Sequence, residues 1–166
     1  MASFATSFTT TTMTSRIDYA KTSPDGHKAF GHVYMTVQQS GLPKALVDLV
    51  YLRVSQINGC AYCIDMHTRD LLKAGQAIDK LALLQVWHDA GAVFSQRERV
   101  ALAWAEAVTR VADTGVPDAD YALAAAEFNA KELADITYAI GLMNAFNRFG
   151  VAFRSTPAAA AATKEG

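Results

Sequence analysis

The 166-residue chain is poor in the residues that staple, punctuate or charge a surface. It holds two cysteines, Cys60 and Cys63, three positions apart, which cannot form the disulfide framework of a small secreted domain. Four prolines and ten glycines fall at segment joins, not at the short spacing of an all-β chain. No apolar run approaches the ~18 residues that a membrane span requires. Charge is scarce and balanced, with 15 Lys and Arg against 16 Asp and Glu, so no strong field draws nucleic acid or an anionic membrane. Hydrophobic residues make up 51%, which excludes disorder for most of the chain. Size scaling lets a chain this long bury roughly 69% of its unfolded surface, enough for a core without staples.

The first fifteen residues, MASFATSFTTTTMTS, carry no charge and lack the basic and apolar regions of a secretory signal. They are read as a disordered leader, residues 16–154 as one helical domain, and residues 155–166 as a flexible tail. The expected location is the cytoplasm.

Between the breaks, apolar residues recur at helical period. A first helix is expected from about Asp25 to Gln39, with Phe30, Val33, Tyr34 and Val37 on one face and Gly41 as its stop. Pro43 opens a second, in which Leu46, Leu49, Val50, Val54 and Ile57 follow the i, i+3, i+4 rule. Asn58-Gly59 breaks it, and a third helix runs from around Cys60 to Gly75. A short helix covers about Ile78 to Trp87. Ser95 with Glu98 forms a capping box before RERVALAWAEAVTRVAD. Pro117, Asp118 and Asp120 open the next helix, and Asn129 with Glu132 caps ELADITYAIGLMNAFNRF. The expected fold is all-α, a single domain of about seven helices. The apolar last helix and the low charge point towards a homo-oligomer.

NGCAYCIDMHTRDLLKAG carries the chemistry. On a helix, Cys60, Cys63 and His67 share one face, with His67 one turn beyond Cys63. Asn58-Gly59 puts Cys60 at the helix N-terminus, where free N–H groups and the macrodipole favour a thiolate. His67 can take or hold a proton near neutrality. The two sulfurs can close a disulfide over one turn, so attack by one and resolution by the other is a natural cycle. Helix polarity alone makes Cys60 the nucleophile. Structural zinc would need four ligands, and His27, His32 and His88 offer no paired spacing. Covalent haem needs C-x-x-C-H, whereas Ile64 follows Cys63.

The stretch from Leu46 to Gly75, with its C-x-x-C-x-x-x-H core, resembles the AhpD-like alkylhydroperoxidases of the carboxymuconolactone decarboxylase superfamily. The likeness extends through SQINGCAYCIDMHTRD, Trp87, RERVALAWAEAVTRV and LMNAFNRF, covering about Asp25 to Arg154. It implies an all-helical domain assembling into trimers or hexamers, with thiol peroxidase activity; the expected function is an antioxidant thiol peroxidase with no metal, haem or flavin. The family carries a glutamate twelve residues before the first cysteine; here that position is Asp48, a carboxylate one methylene shorter. Tyr62 stands where the family often has histidine. By resemblance, Cys63 is the peroxidatic sulfur, His67 its base, Cys60 the resolving and more exposed sulfur, and Asp48 the end of the relay. The implied substrate is an organic hydroperoxide and the implied partner a thiol or lipoyl reductant protein.

Tyr62, Trp87, Trp104 and Phe146 are candidates for a pocket, though aromatics at helical spacing usually belong to the core. His88 and Asp89 are candidate supporting groups, Asn147 and Arg148 candidates for the site or a subunit contact, and Arg53 and Gln56 candidates for steadying Asp48. Two other functions compete. A decarboxylase or lactone-processing enzyme of the wider superfamily would have no need of a thiol pair. A redox-sensing or disulfide-carrying oligomeric binding protein would use the pair as a switch.

Overall fold

The structure, a computed structural model, describes residues 14–162. Most of the expected leader therefore lies outside the described residues. Ten α-helices and two short 3-10 segments occur among them, with no strand. The helices are α1 (Tyr19–Thr22), α2 (Pro24–Gln38), α3 (Lys44–Ile57), α4 (Ala61–Lys73), α5 (Ile78–Leu83), α6 (Gln96–Thr109), α7 (Val111–Thr114), α8 (Asp118–Glu127), α9 (Ala130–Ala152) and α10 (Ala158–Ala162). The fold is all-α, as expected. The larger count comes from one- and two-turn pieces too short to show a period, and from one break.

That break divides the segment read as one helix from Arg97 to Asp113. Arg110 leaves helical geometry at ψ 32°, α7 follows, and the Thr114 hydroxyl donates to the Ala107 carbonyl at 2.8 Å. Both capping boxes form as the sequence indicates, Ser95 with Glu98 and Asn129 with Glu132.

α3 is the axis of the molecule. Every residue from Leu46 to Ser55 is buried: apolar residues lie on every side of this helix and must be covered, while Asp48, Arg53 and Ser55 are each hydrogen-bonded. One side, with Val47, Val50, Tyr51 and Val54, packs in a core with Trp104, Ile136, Ile140 and Met143 from α6 and α9. The other, with Leu49 and Leu52, joins Leu71, Leu81, Leu84, Trp87, Phe94 and Leu102. Each fully buried leucine contributes about 1.5–3 kcal/mol. α3 therefore holds α4 on one flank and α9 on another, and the cysteine pair lies between them.

The first and last described segments close over α9 and α4. Arg16 donates from its backbone N–H to the Phe153 carbonyl at 2.9 Å and from its guanidinium to the Ala152 carbonyl at 2.9 Å. Beyond residue 154, the Ala158 N–H donates to the Asp65 carboxylate at 2.9 Å, which starts α10 against α4. Among the described residues, no helix is long and apolar enough to cross a membrane.

Candidate functional site

The turn between α3 and α4 is built by hydrogen bonds from two successive residues. Gly59, at φ +66°, donates to the Gln56 carbonyl at 3.3 Å, and the Cys60 N–H reaches the Ser55 carbonyl at 3.0 Å. This is a Schellman ending, and its left-handed residue is the reason for glycine at 59. Cys60 thus closes α3 and caps α4 at once: its Sγ accepts the Cys63 N–H at 3.3 Å. The helix-terminal position read from Asn58-Gly59 is where Cys60 lies.

Cys60 and Cys63 are joined as a disulfide, with Cα atoms 5.3 Å apart. Both are buried, Cys60 at 1% exposure and Cys63 at 3%. Cys63 opens onto a cleft of about 350 Å³; Cys60 lies behind it, against Gly150 of α9. This reverses the expectation that Cys60 is the more exposed sulfur. A glycine at 150 lets the α9 backbone close over Cys60, so the sulfur at the helix end is the one covered.

His67 follows one turn after Cys63 and lines the same cleft at 4% exposure. Its Nε2 is buried with no hydrogen-bond partner among the described residues, and its ring centroid lies 5.2 Å from that of Tyr51. Burial pushes its pKa down from 6.5 to about 4, against smaller upward pulls from Asp48 and Asp70. The imidazole is therefore neutral at pH 7 beside the closed disulfide. Asp48 projects from α3 into the cleft at 2% exposure, and the Lys44 ammonium donates to its Oδ2 at 2.5 Å. Lys44 itself remains mostly exposed, so the pair bridges cleft and solvent. Tyr19, Tyr34, Tyr62, Met66, Met143 and Phe146 form the apolar wall. The cleft thus gathers Cys63, His67 and Asp48, with Cys60 bonded behind.

The remaining sequence candidates divide. Tyr62 and Phe146 do line the cleft. Trp87 and Trp104 are core residues, their indole N–H groups donating to Glu106 at 2.8 Å and to the Thr137 hydroxyl at 3.0 Å. Arg53 does not steady Asp48; it pairs with Glu106 at 2.7 Å, because both emerge where α3 packs on α6, and it donates to Gln56 at 3.3 Å. Burial alone would raise the Glu106 pKa, but the hydrogen bonds from Trp87 and Arg53 hold it below the usual range. His88 stacks on Trp87 with centroids 3.6 Å apart.

Asn147 is buried and belongs to the site's frame. It donates to the Ser55 hydroxyl at 3.0 Å and accepts from the Asn58 amide at 2.9 Å, which also donates to Asn144 at 3.0 Å. Arg148 is exposed and donates to the Asn144 carbonyl at 2.7 Å. Sequence reasoning missed Tyr51, Lys44 and Gly150. Tyr51 could have been found one turn after Asp48 on the same helix; Gly150 has no local signal, because its partner lies ninety residues away.

The sequence pattern of the Carboxymuconolactone decarboxylase family matches residues 24–107, from α2 through most of α6. A Bacillus subtilis protein called uncharacterized protein YdfG is 31% identical over 140 residues, spanning 84% of this chain and 95% of its own. The crystal structure of ATU0492 from Agrobacterium tumefaciens superposes with a TM-score of 0.84 at 41% identity, covering 87% of this chain and 98% of that one. That protein is of unknown function and provisionally named an antioxidant defence protein AhpD. A peroxidase-related protein from Silicibacter sp. TM1040 gives a TM-score of 0.72 at 25% identity, over 82% of this chain and 72% of the other.

Proposed function

Because the chain belongs to the carboxymuconolactone decarboxylase family, we propose that its Cys60–Cys63 pair serves a thiol-dependent peroxidase acting on organic hydroperoxides. The observation that carries this reading is the single cleft onto which Cys63, His67 and Asp48 all open. A cysteine that cycles between thiol and disulfide beside a proton acceptor is what peroxide reduction requires.

In the reduced protein, His67 takes the Cys63 proton, and the thiolate beside it favours the imidazolium. The thiolate attacks the distal oxygen of the hydroperoxide. The O–O bond breaks, Cys63 becomes a sulfenic acid, and the departing alkoxide leaves as alcohol with the proton from His67. Cys60 then attacks the Cys63 sulfur, forming the disulfide and releasing water. An external dithiol returns two electrons and two protons. The sum is hydroperoxide plus dithiol giving alcohol, water and disulfide, without metal, haem or flavin. Asp48 keeps the His67 proton affinity from falling further, and Lys44 holds its carboxylate in place.

The test mixes reduced protein with cumene hydroperoxide and follows peroxide loss and free thiols together. Turnover with a dithiol is expected in the wild type and lost in both Cys63→Ser and Cys60→Ser; with no dithiol, Cys60→Ser should still consume one equivalent. No peroxide consumption, with only slow thiol oxidation, would sink the proposal and favour a redox sensor. Stoichiometric zinc in the purified protein would overturn the cofactor-free cycle.

A further inference from the structure

We infer that the reductant enters the disulfide at Cys63, and that Cys60 departs as the thiolate. This rests on the thiol–disulfide reading of the site, though not on the oxidant being a hydroperoxide.

Thiol–disulfide exchange is a displacement at sulfur, and its rate depends on access to the attacked atom and on the leaving thiol. Access separates the two cysteines. Cys63 lines the cleft. Cys60 is capped by the α9 backbone, where a Cβ on Gly150 would stand 2.8 Å from its Sγ. That wall is main chain within a 23-residue helix, so no side-chain rotation opens it.

The leaving group points the same way. Attack at Cys63 expels Cys60, whose sulfur sits at the N-terminus of α4 and already accepts the Cys63 N–H. A thiolate there is stabilised by that donor and the helix macrodipole, and a better-stabilised thiolate leaves faster. Attack at Cys60 would expel Cys63, which lies inside the first turn of α4, where no N–H among the described residues donates to its sulfur.

The steps balance. A thiolate of the external dithiol forms a bond to Cys63 Sγ, and the electron pair of the Cys60–Cys63 bond goes to Cys60. The second thiol then attacks the reductant's own first sulfur, closing the reductant's disulfide and releasing the Cys63 thiolate. Two electrons pass to the protein, and the dithiol's two protons go to Cys60 and to the Cys63–His67 pair. Cys63 thus meets both hydroperoxide and reductant, while Cys60 is an internal partner that meets neither.

The test starts from the full chain oxidised by diamide, so it stands whether or not the protein reduces peroxides. The disulfide is exposed briefly to 2-mercaptoethanol, quenched in acid, alkylated and mapped by tandem mass spectrometry. The mixed disulfide is expected on Cys63, with the alkyl group on Cys60, in about tenfold excess over the reverse, since access governs the attacked sulfur. A Cys60 adduct as abundant as the Cys63 adduct overturns the inference. Where exchange erases the adduct before the quench, single-cysteine variants decide it. Per thiolate, Cys63 in Cys60→Ser should react with 2,2′-dipyridyl disulfide about tenfold faster than Cys60 in Cys63→Ser, as access requires. Equal or reversed rates overturn it.

Discussion

Gly150 of α9 lies so close to the disulfide that a Cβ there would stand 2.8 Å from the Cys60 sulfur and 3.4 Å from the Cys63 sulfur. Helix propensity alone predicts that Gly150→Ala stabilises α9 by roughly 0.5–1 kcal/mol. The close approach predicts the opposite sign, because an added methyl must push α9 off the cysteine pair. Denaturant unfolding of the oxidised variant should show a loss of about 1–3 kcal/mol, the usual range for an overfilled core. A variant as stable as the wild type would mean that the sulfur and helix have room to spare.

Asn147 ties α9 to the turn that carries Cys60, through Ser55 and Asn58. Asn147→Ala leaves those two groups short of a partner, at a cost of about 1–3 kcal/mol for buried polar atoms. The turn also loses a restraint, so Cys60 in this variant should react faster with a small disulfide probe than in the parent protein. Unchanged stability and unchanged Cys60 reactivity would show that the asparagine network is incidental.

His67 gives the protein a pH dependence of definite sign. Its pKa is about 4 in the folded protein against 6.5 for an ordinary histidine, so between these values the unfolded chain binds the extra proton. Its contribution is therefore fully present above pH 6.5 and is lost as pH falls towards 4. A shift of this size corresponds to about 3 kcal/mol. Unfolding free energies of wild type and His67→Gln, measured from pH 7.5 to 4, should differ in slope across that window. Parallel curves would show that the imidazole is not buried in its neutral form.

The cysteine triad and most of the helices were legible because their signals are local. Ser95 with Glu98, Asn129 with Glu132 and Asn58-Gly59 each write a boundary in two to four residues, and each boundary forms. Cys60, Cys63 and His67 are placed by one helix. Contacts between helices were illegible. Arg53 belongs to Glu106, fifty-three residues away, and Gly150 belongs to Cys60. The exposure of the two sulfurs came out reversed for the same reason: the macrodipole of α4 says where a thiolate is stable, while α9 decides which sulfur is covered.

Asp48 is where the local pattern and the site meet. It occupies the position of the glutamate in the resembling family, twelve residues before Cys60, and lines the cleft with His67. Its carboxylate raises the proton affinity that burial takes from His67. Asp48→Asn preserves the shape and removes the charge, so Lys44, mostly exposed, can turn to solvent with little effect on folding. The rate of Cys63 oxidation by cumene hydroperoxide should fall about 100-fold, the low end for loss of proton-transfer assistance. Asp48→Glu restores the charge and adds a methylene, and should recover most of that rate. An Asn variant with full activity removes Asp48 from the relay. A Glu variant as slow as Asn would show instead that the short reach of aspartate, and not its charge alone, is built into this cleft.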